Sequence, residues 1–128
     1  MRAIDTNILV RYLTVDHPHQ ATTAHSVISD GDVFIPTTVL LECEWVLRSS
    51  YHRSQRDILT ALRALAGLPG ISIQDPAAFA EALDHAEHGM DFADALHLSA
   101  ASHCHAMLTF DQQFIRTATD TNIPVTQP

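Results

Sequence analysis

Hydrophobic positions along the chain alternate between the two-residue period of strands and the roughly 3.6-residue period of helices. Short apolar stretches predict strands at Arg2–Asp5, Val33–Ile35, Ile71–Ile73 and Ala106–Thr109, with Pro124 and Val125 as candidates for a last edge strand. Helical patterns fill the intervals at Asn7–Leu13, Pro18–Ile28, Thr37–Ser50, Ser54–Ala66, a helix started by Asp75 and Pro76, Phe92–His103 and a short turn at Asp111–Arg116.

Strands separated by helical stretches need crossover connections, which favour a mainly parallel sheet covered by helices on both faces. The 128 residues are enough for one domain and contain no linker, repeat or low-complexity segment. The sequence therefore predicts a single α/β domain over residues 1–128.

Charge narrows the chemistry. The 7 basic residues are all arginine, and the absence of lysine excludes a Walker-type phosphate loop and a Schiff-base enzyme. It also weakens the case for a phospho-accepting receiver domain. Against them stand 15 acidic residues, for a net charge of −8, which argues against tight non-specific binding to duplex DNA. A local basic patch remains compatible with this balance.

The two cysteines and the apolar runs bear on location. Cys43 and Cys104 lie in apolar helical patterns and are interpreted as buried thiols of a reducing compartment, without zinc-site spacing. No apolar run approaches the roughly 20 residues of a membrane span, and Asp5 interrupts the early apolar stretch, unlike a secretory signal. We expect a cytoplasmic protein.

Two aspartates follow predicted strands. Asp5 ends the first strand, and Asp111 follows Ala106–Thr109. Ligands of parallel sheets bind at the carboxyl ends of strands, so these side chains are predicted to face one crevice. Helix N-capping is the alternative for each, and for Asp5 taken alone the two interpretations are evenly matched.

The angular position of an acidic residue on a predicted helix indicates whether its side chain borders the core or points to solvent. In the helix from Thr37, an apolar stripe of Val39, Cys43, Val46 and Leu47 places Glu42 at its margin and Glu44 on the far side. We therefore predict a functional role for Glu42, since a carboxylate beside the core needs a partner, and a solvated surface position for Glu44.

The same test on the helix from Phe92 places Asp94 at the edge of an inner face made of Ala93, Leu96, Ala100 and Cys104. Asp91 precedes the helix, where an N-cap is favoured. His97 is interpreted as a core histidine, with a metal ligand as the less favoured alternative.

Asp5, Glu42, Asp94 and Asp111 come from four separate elements. Converging carboxylates raise one another's pKa unless a cation neutralises them, and an all-oxygen set suits Mg²⁺ or Mn²⁺. Such an ion lowers the pKa of a bound water and stabilises charge on a phosphodiester. The hypothesis from spacing is a metal-dependent nuclease.

The residues that carry this hypothesis resemble the PIN-domain family, and within it the VapC-like toxins of toxin–antitoxin pairs. The shared motifs are Ile4-Asp5-Thr6-Asn7, Leu41-Glu42, Asp91-Phe92-Ala93-Asp94-Ala95-Leu96-His97 and Leu108-Thr109-Phe110-Asp111. The resemblance implies a three-layer α/β/α fold, Mg²⁺- or Mn²⁺-dependent endoribonuclease activity on RNA, inhibition by a cognate antitoxin, and dimers or larger complexes.

By position in these motifs, the resemblance implies that Asp5, Glu42, Asp94 and Asp111 are the four acidic site residues of the family, here called the acidic quartet. It also makes Asn7 and Thr109 supporting residues. Asp91 matches an acid found in some branches of the family, so both roles, near the metal and as a helix cap, stay open for it.

The stretch from Arg48 to Arg56 combines arginines with an aromatic residue and lacks acids, which suits phosphate contact and base stacking on RNA. Its candidate RNA-binding residues are Arg48, Tyr51, Arg53 and Arg56, and Arg11 on the first helix is a further candidate. A cation-rich helix end with an exposed loop is the alternative.

Three other interpretations compete. The 9 histidines raise a metal-free acid–base mechanism, although their spacing shows no face shared with a second histidine and a basic neighbour, and a surface position is favoured for most of them. A non-catalytic RNA- or partner-binding module would keep the fold. The apolar positions of two helices are a candidate partner surface, with core packing favoured: Ile8, Leu9, Tyr12 and Leu13, and Leu59, Leu62 and Leu65.

Overall fold

The computed structural model describes residues 1–128 and confirms an α/β fold with parallel sheet pairing. The strands are β1 (Arg2–Ala3), β2 (Val33–Ile35), β3 (Ile71–Ile73), β4 (Met107–Leu108) and β5 (Val125–Thr126). The helices are α1 (Thr6–Leu13), α2 (Pro18–Asp30), α3 (Thr37–Ser49), α4 (Gln55–Ala66), α5 (Pro76–Glu87), α6 (Phe92–Ala100) and α7 (Gln112–Thr117).

The chain forms two compact units, Met1–Pro76 and Ala77–Pro128. In the first, the strands run in the order β1-β2-β3, and all pairs are parallel, with Arg2 opposite Val33 and Val33 opposite Ile71. Each crossover between successive strands contains two helices, α1 with α2 and α3 with α4. The second unit holds a parallel pair of β4 and β5. A single domain over residues 1–128 stays a prediction.

A close approach of two backbones fixes the entry to β2. Gly31 and Gly70 both adopt positive φ, and a Cβ on Gly70 would lie 2.8 Å from the Gly31 Cα. The Val33 amide donates to the Gly70 carbonyl at 2.9 Å. Glycine is therefore required at position 70 by both conformation and space.

The core of the first unit contains the apolar face of α4. Leu59, Leu62 and Leu65 are all buried, and Ser54 caps this helix by accepting from the Asp57 amide at 3.1 Å. The core-packing interpretation is confirmed for these leucines, which offer no partner surface. On α1, Leu9 is buried, whereas Ile8, Tyr12 and Leu13 are half-buried.

Helix α6 ends three residues earlier than predicted, at Ala100, and residues 101–105 form turns. The prediction of a buried Cys104 is therefore wrong: the helical period stops before it, and its thiol is exposed. Cys43 on α3 is buried as predicted. Burial, followed by the charge of the neighbouring Glu44, raises the pKa of the Cys43 thiol to about 12.

None of the helices has both the length and the apolar character that crossing a membrane requires.

Candidate functional site

Asp5 is the N-cap of α1 and also faces a cavity. Its Oδ1 accepts from the Ile8 amide at 3.5 Å, and the residue is exposed. The capping alternative is thus confirmed for Asp5. It does not compete with a second role, because the other carboxylate oxygen takes no part in the cap.

The cavity has a volume of about 460 Å³ and is built from α1, α3 and the segment after α3. It is lined by Asp5, Thr6, Asn7, Val10, Arg11, Glu42, Val46, Ser50 and Tyr51. Two members of the predicted quartet, one predicted supporting residue and two predicted RNA contacts therefore lie around one opening in the first unit. Glu42 is exposed there, and no hydrogen bond or ion pair holds its carboxylate.

The prediction of a solvated Glu44 is wrong. Its side chain is 2% exposed. The Arg48 guanidinium donates from Nε to Glu44 Oε1 at 2.8 Å and from Nη2 to Glu44 Oε2 at 3.4 Å. The buried face of α3 runs through Val39, Leu40, Cys43, Glu44 and Leu47. The stripe is therefore rotated relative to the predicted one, and Val46 is only half-buried.

The arginine-rich stretch does not act as one surface. Arg48 is engaged by Glu44 and does not line the cavity, whereas Tyr51 does. Arg53 and Arg56 are exposed and lie outside the lining. Of the predicted RNA-binding arginines, Arg11 alone lines the opening that contains Asp5 and Glu42.

In the second unit, two acids cap helices. Asp91 Oδ2 accepts from the Asp94 amide at 3.2 Å, which confirms the predicted N-cap of α6. Asp111 Oδ1 accepts from the Gln113 and Phe114 amides at 2.9 and 3.2 Å and caps α7. Thr109 Oγ1 accepts from the Asp111 amide at 3.0 Å, so it holds the turn in which Asp111 lies.

Asp94 is electrostatically linked to both of these acids. Burial, followed by the negative charges of Asp91 and Asp111, raises the pKa of the Asp94 carboxyl, and His97 partly offsets this. Asp91 and Asp111 therefore both repel the half-buried Asp94 carboxylate. This is the electrostatic situation that a bound cation relieves.

The donor chemistry fits a hard ion, although the side-chain positions do not form a ready-made cage. The acids offer oxygen ligands alone, as Mg²⁺ and Mn²⁺ prefer. No group of three His, Cys, Asp or Glu side chains is arranged to hold an ion by itself. Mg²⁺ commonly keeps several waters and uses one or two carboxylates. These side chains therefore suit an ion that keeps part of its water shell.

Most of the histidines are exposed, as predicted, and His97 is the one whose prediction fails. His97 is exposed on α6, so the core interpretation is wrong: the buried face consists of Phe92, Ala95, Leu96, Leu98 and Ser99 instead. His85 and His88 share one cavity of about 260 Å³. The charged residues beside them in its lining are Asp84 and Asp120, and no basic residue accompanies them, in agreement with the spacing argument.

Sequence reasoning missed Asp16 and Gln20, which hydrogen-bond to two residues of the cavity lining, and it misplaced Glu44. Glu44 and Arg48 are spaced i, i+4, a detectable signal of a helical ion pair. Asp16 accepts from the Tyr51 hydroxyl at 2.8 Å, and Gln20 Oε1 accepts from Arg11 Nε at 2.7 Å. The first contact joins residues 35 positions apart, and no local pattern indicates it.

These features define a class: an α/β protein with parallel strands whose carboxyl ends are followed by exposed, helix-capping aspartates. A model of the PIN domain matches residues 3–120, and the chain belongs to this family. The PIN domain is generally a nuclease fold, and its members are typically metal-dependent. No curated protein sequence matches the chain.

Replacing Arg48 by alanine is expected to destabilise the fold. It leaves the buried Glu44 carboxylate without its guanidinium, which costs about 3 kcal/mol of unfolding free energy. Urea unfolding measures this, and the double variant Arg48→Ala/Glu44→Gln should recover part of the loss. Arg53→Ala is the matched control. Equal stability of Arg48→Ala and Arg53→Ala would contradict the structural role of this pair.

Replacing Asp94 by asparagine is expected to stabilise the metal-free protein. The folded state raises the pKa of Asp94, so ionisation is disfavoured there, and the wild type loses stability as pH rises through that pKa. In EDTA the variant should have a higher Tm at pH 7 and no such advantage well below pH 4. Excess Mg²⁺ should raise the Tm of the wild type more than that of the variant.

The matched control for this experiment is Asp120→Asn, since Asp120 is exposed and adopts a positive φ that asparagine tolerates. A pH-independent Tm difference between Asp94→Asn and the wild type would contradict the repulsion among these carboxylates.

Proposed function

We propose that this PIN-domain protein is a Mg²⁺- or Mn²⁺-dependent endoribonuclease that hydrolyses RNA phosphodiester bonds. The observation that carries the proposal is the cavity in which the exposed carboxylates of Asp5 and Glu42 lie together without a salt-bridge partner. The raised pKa of Asp94 beside Asp91 and Asp111 supports it independently. The alternative, a non-catalytic binding module, is less favoured because the PIN domain is generally a nuclease fold.

The proposed roles follow the chemistry of each residue. In this proposal Asp5, Asp94 and Asp111 would hold the principal metal, with Asp91 as a further candidate, and Glu42 would orient the attacking water or a second ion. Asn7 and Thr109 support Asp5 and Asp111. When bound, the ion supplies a water of lowered pKa and charge stabilisation for the phosphodiester.

The RNA contacts in this proposal are made by arginines, since the chain has no lysine. Arg11 and Tyr51 lie at the cavity, and Arg53 and Arg56 add exposed positive charge on the segment that follows α3. Arg48 was predicted to join them, and its pairing with Glu44 makes it the weakest member of the set. A single strand or loop of RNA suits such sparse contacts better than a duplex.

Asp5→Asn is expected to abolish cleavage while leaving the fold intact, because asparagine caps a helix as well as aspartate does. Loss of a metal ligand should reduce the cleavage rate by at least about 100-fold, more than the loss of a residue that merely supports a ligand. Incubation of purified protein with RNA in Mg²⁺, and in EDTA, measures both dependences. Asp30→Asn, which removes the same charge at the C-terminal end of α2, is the matched control.

Undiminished RNA cleavage in EDTA would favour the metal-free histidine mechanism. Absence of any RNA cleavage with Mg²⁺ or Mn²⁺, together with absence of binding of either ion in calorimetry, would favour the non-catalytic module.

We further propose that the protein is the cytoplasmic toxin of a toxin–antitoxin pair and forms a homodimer or larger complex. The VapC-like motifs support this, and so do large exposed apolar side chains, with Trp45 56% and Phe110 81% exposed. Exposed aromatic side chains are typical of surfaces that a protein partner covers.

The partner proposal predicts two measurements. Light scattering on the purified chain should give a mass of two chains or more, and co-expression with the product of the neighbouring gene should give a complex without ribonuclease activity. A monodisperse monomer under both conditions would contradict it.

A further inference from the structure

Arg11 is a half-buried arginine whose hydrogen-bond partners are both neutral. Its Nε donates to Gln20 Oε1 at 2.7 Å, and its Nη1 donates to the Tyr51 hydroxyl at 3.2 Å. No carboxylate pairs with it in the structure. A guanidinium removed in part from water and left without a counter-ion is a binding site for an anion.

The Tyr51 hydroxyl fixes the direction of this network. Its single proton is donated to Asp16 Oδ2 at 2.8 Å, so the oxygen lone pairs are left to accept from Arg11. The hydrogen bond from Tyr51 is the largest cause that lowers the pKa of Asp16, so the Asp16 carboxylate stays ionised and accepts this bond. Asp16 therefore orients Tyr51, and Tyr51 orients Arg11.

The position of Arg11 indicates what kind of anion it meets. It is the only cationic residue in the lining of the cavity that contains Asp5 and Glu42. Arg11 lies six positions after the N-cap Asp5 along α1, an axial rise of about 9 Å. At that separation, Asp5 and Arg11 suit neighbouring phosphates of one strand better than a single phosphate group.

A second cavity adjoins the cavity that contains Asp5 and Glu42. Asn7 and Arg11 also line a neighbouring opening of about 480 Å³, together with His19, Gln20 and Thr23. Arg11 therefore belongs to the lining of both cavities. An extended polyanion that occupies both cavities contacts the Arg11 guanidinium. A single acidic side chain of a protein partner needs only one of the two cavities.

Resting on the proposed function, we propose that Arg11 binds a phosphate of single-stranded RNA next to the scissile one. In this assignment Tyr51 and Asp16 are positioning residues that aim the Arg11 guanidinium into the cavity. Tyr51 then acts through its hydroxyl, and not as the stacking platform that an aromatic residue near arginines suggests.

The first test measures binding without cleavage. A short fluorescein-labelled single-stranded RNA is titrated with protein in Ca²⁺, and anisotropy is followed at several salt concentrations. Arg11→Ala should bind about tenfold more weakly, and its slope of log K against log salt should fall by about 0.7, the value for one lost phosphate contact on a single strand. Arg63→Ala, which removes the same charge from α4, should change neither.

The second test separates positioning from stacking. Tyr51→Phe keeps the ring and removes the hydroxyl, so it should weaken binding in the same direction as Arg11→Ala. The double variant should be no weaker than Arg11→Ala alone, because Tyr51 acts through Arg11. Arg11→Lys should keep the salt slope and become insensitive to Tyr51→Phe, since a single ammonium nitrogen cannot reproduce the planar fork with which arginine reaches Gln20, Tyr51 and a phosphate together.

The third test locates the contact. Single phosphates of the RNA are replaced in turn by neutral methylphosphonates, and the position that loses affinity with the wild type should have no effect with Arg11→Ala. In Mg²⁺, this position should neighbour the cleavage site.

The outcomes distinguish this inference from the proposed function. RNA binding that depends on Arg11 without any cleavage in Mg²⁺ would overturn the nuclease proposal and keep the binding site. Cleavage with unchanged affinity and salt slope in Arg11→Ala would overturn the present inference alone. Tyr51→Phe with wild-type binding would overturn the positioning role, and so would absence of RNA binding by the unmutated protein.

Discussion

N-capping by aspartate is the interaction on which the candidate site depends. Asp5, Asp91 and Asp111 each bind the first amides of a helix with one carboxylate oxygen and leave the other oxygen unused by the cap. The partial positive charge of a helix N-terminus attracts the carboxylate, and the capping hydrogen bond fixes its orientation. Structural and functional interpretations of these residues are therefore compatible, because one oxygen serves the helix and the other is available to a ligand.

Arginine is the scarce component of this protein. With no lysine, every positive contact falls to 7 arginines, and the buried Glu44 already engages Arg48. Arg11 is instead held by Gln20 and Tyr51, which are neutral and leave its charge uncompensated. The difference between Arg48 and Arg11 is thus a difference in partner: a carboxylate makes an arginine structural, and neutral acceptors keep it available for an anion.

The sequence predicted the strand and helix order well because glycine, proline and capping residues mark most boundaries. Strand β2, between Gly31 and Pro36, was predicted with its exact ends. Glu44 was misplaced because a stripe taken from apolar residues alone assigns a carboxylate to solvent, and the compensating Arg48 enters only through a contact. The predictions for Cys104 and His97 were wrong because the helical period of α6 was extended past the end of the helix and the predicted buried face was rotated from the observed one. Contacts distant in sequence, such as Tyr51 with Asp16, follow from the fold alone.

The acidic balance and an RNA substrate are compatible once charge is considered locally. One bound divalent ion changes the net charge from −8 to −6, a small change for the whole molecule but a large one beside Asp5 and Glu42. In the proposed function, these carboxylates repel an approaching phosphate when the ion is absent, and Arg11, in the lining of the same cavity, attracts a neighbouring phosphate. The cation and Arg11 would then have complementary effects: Arg11 positions the strand, and the ion lets the scissile phosphate reach the acids. This proposal makes cleavage dependent on the metal-loaded protein.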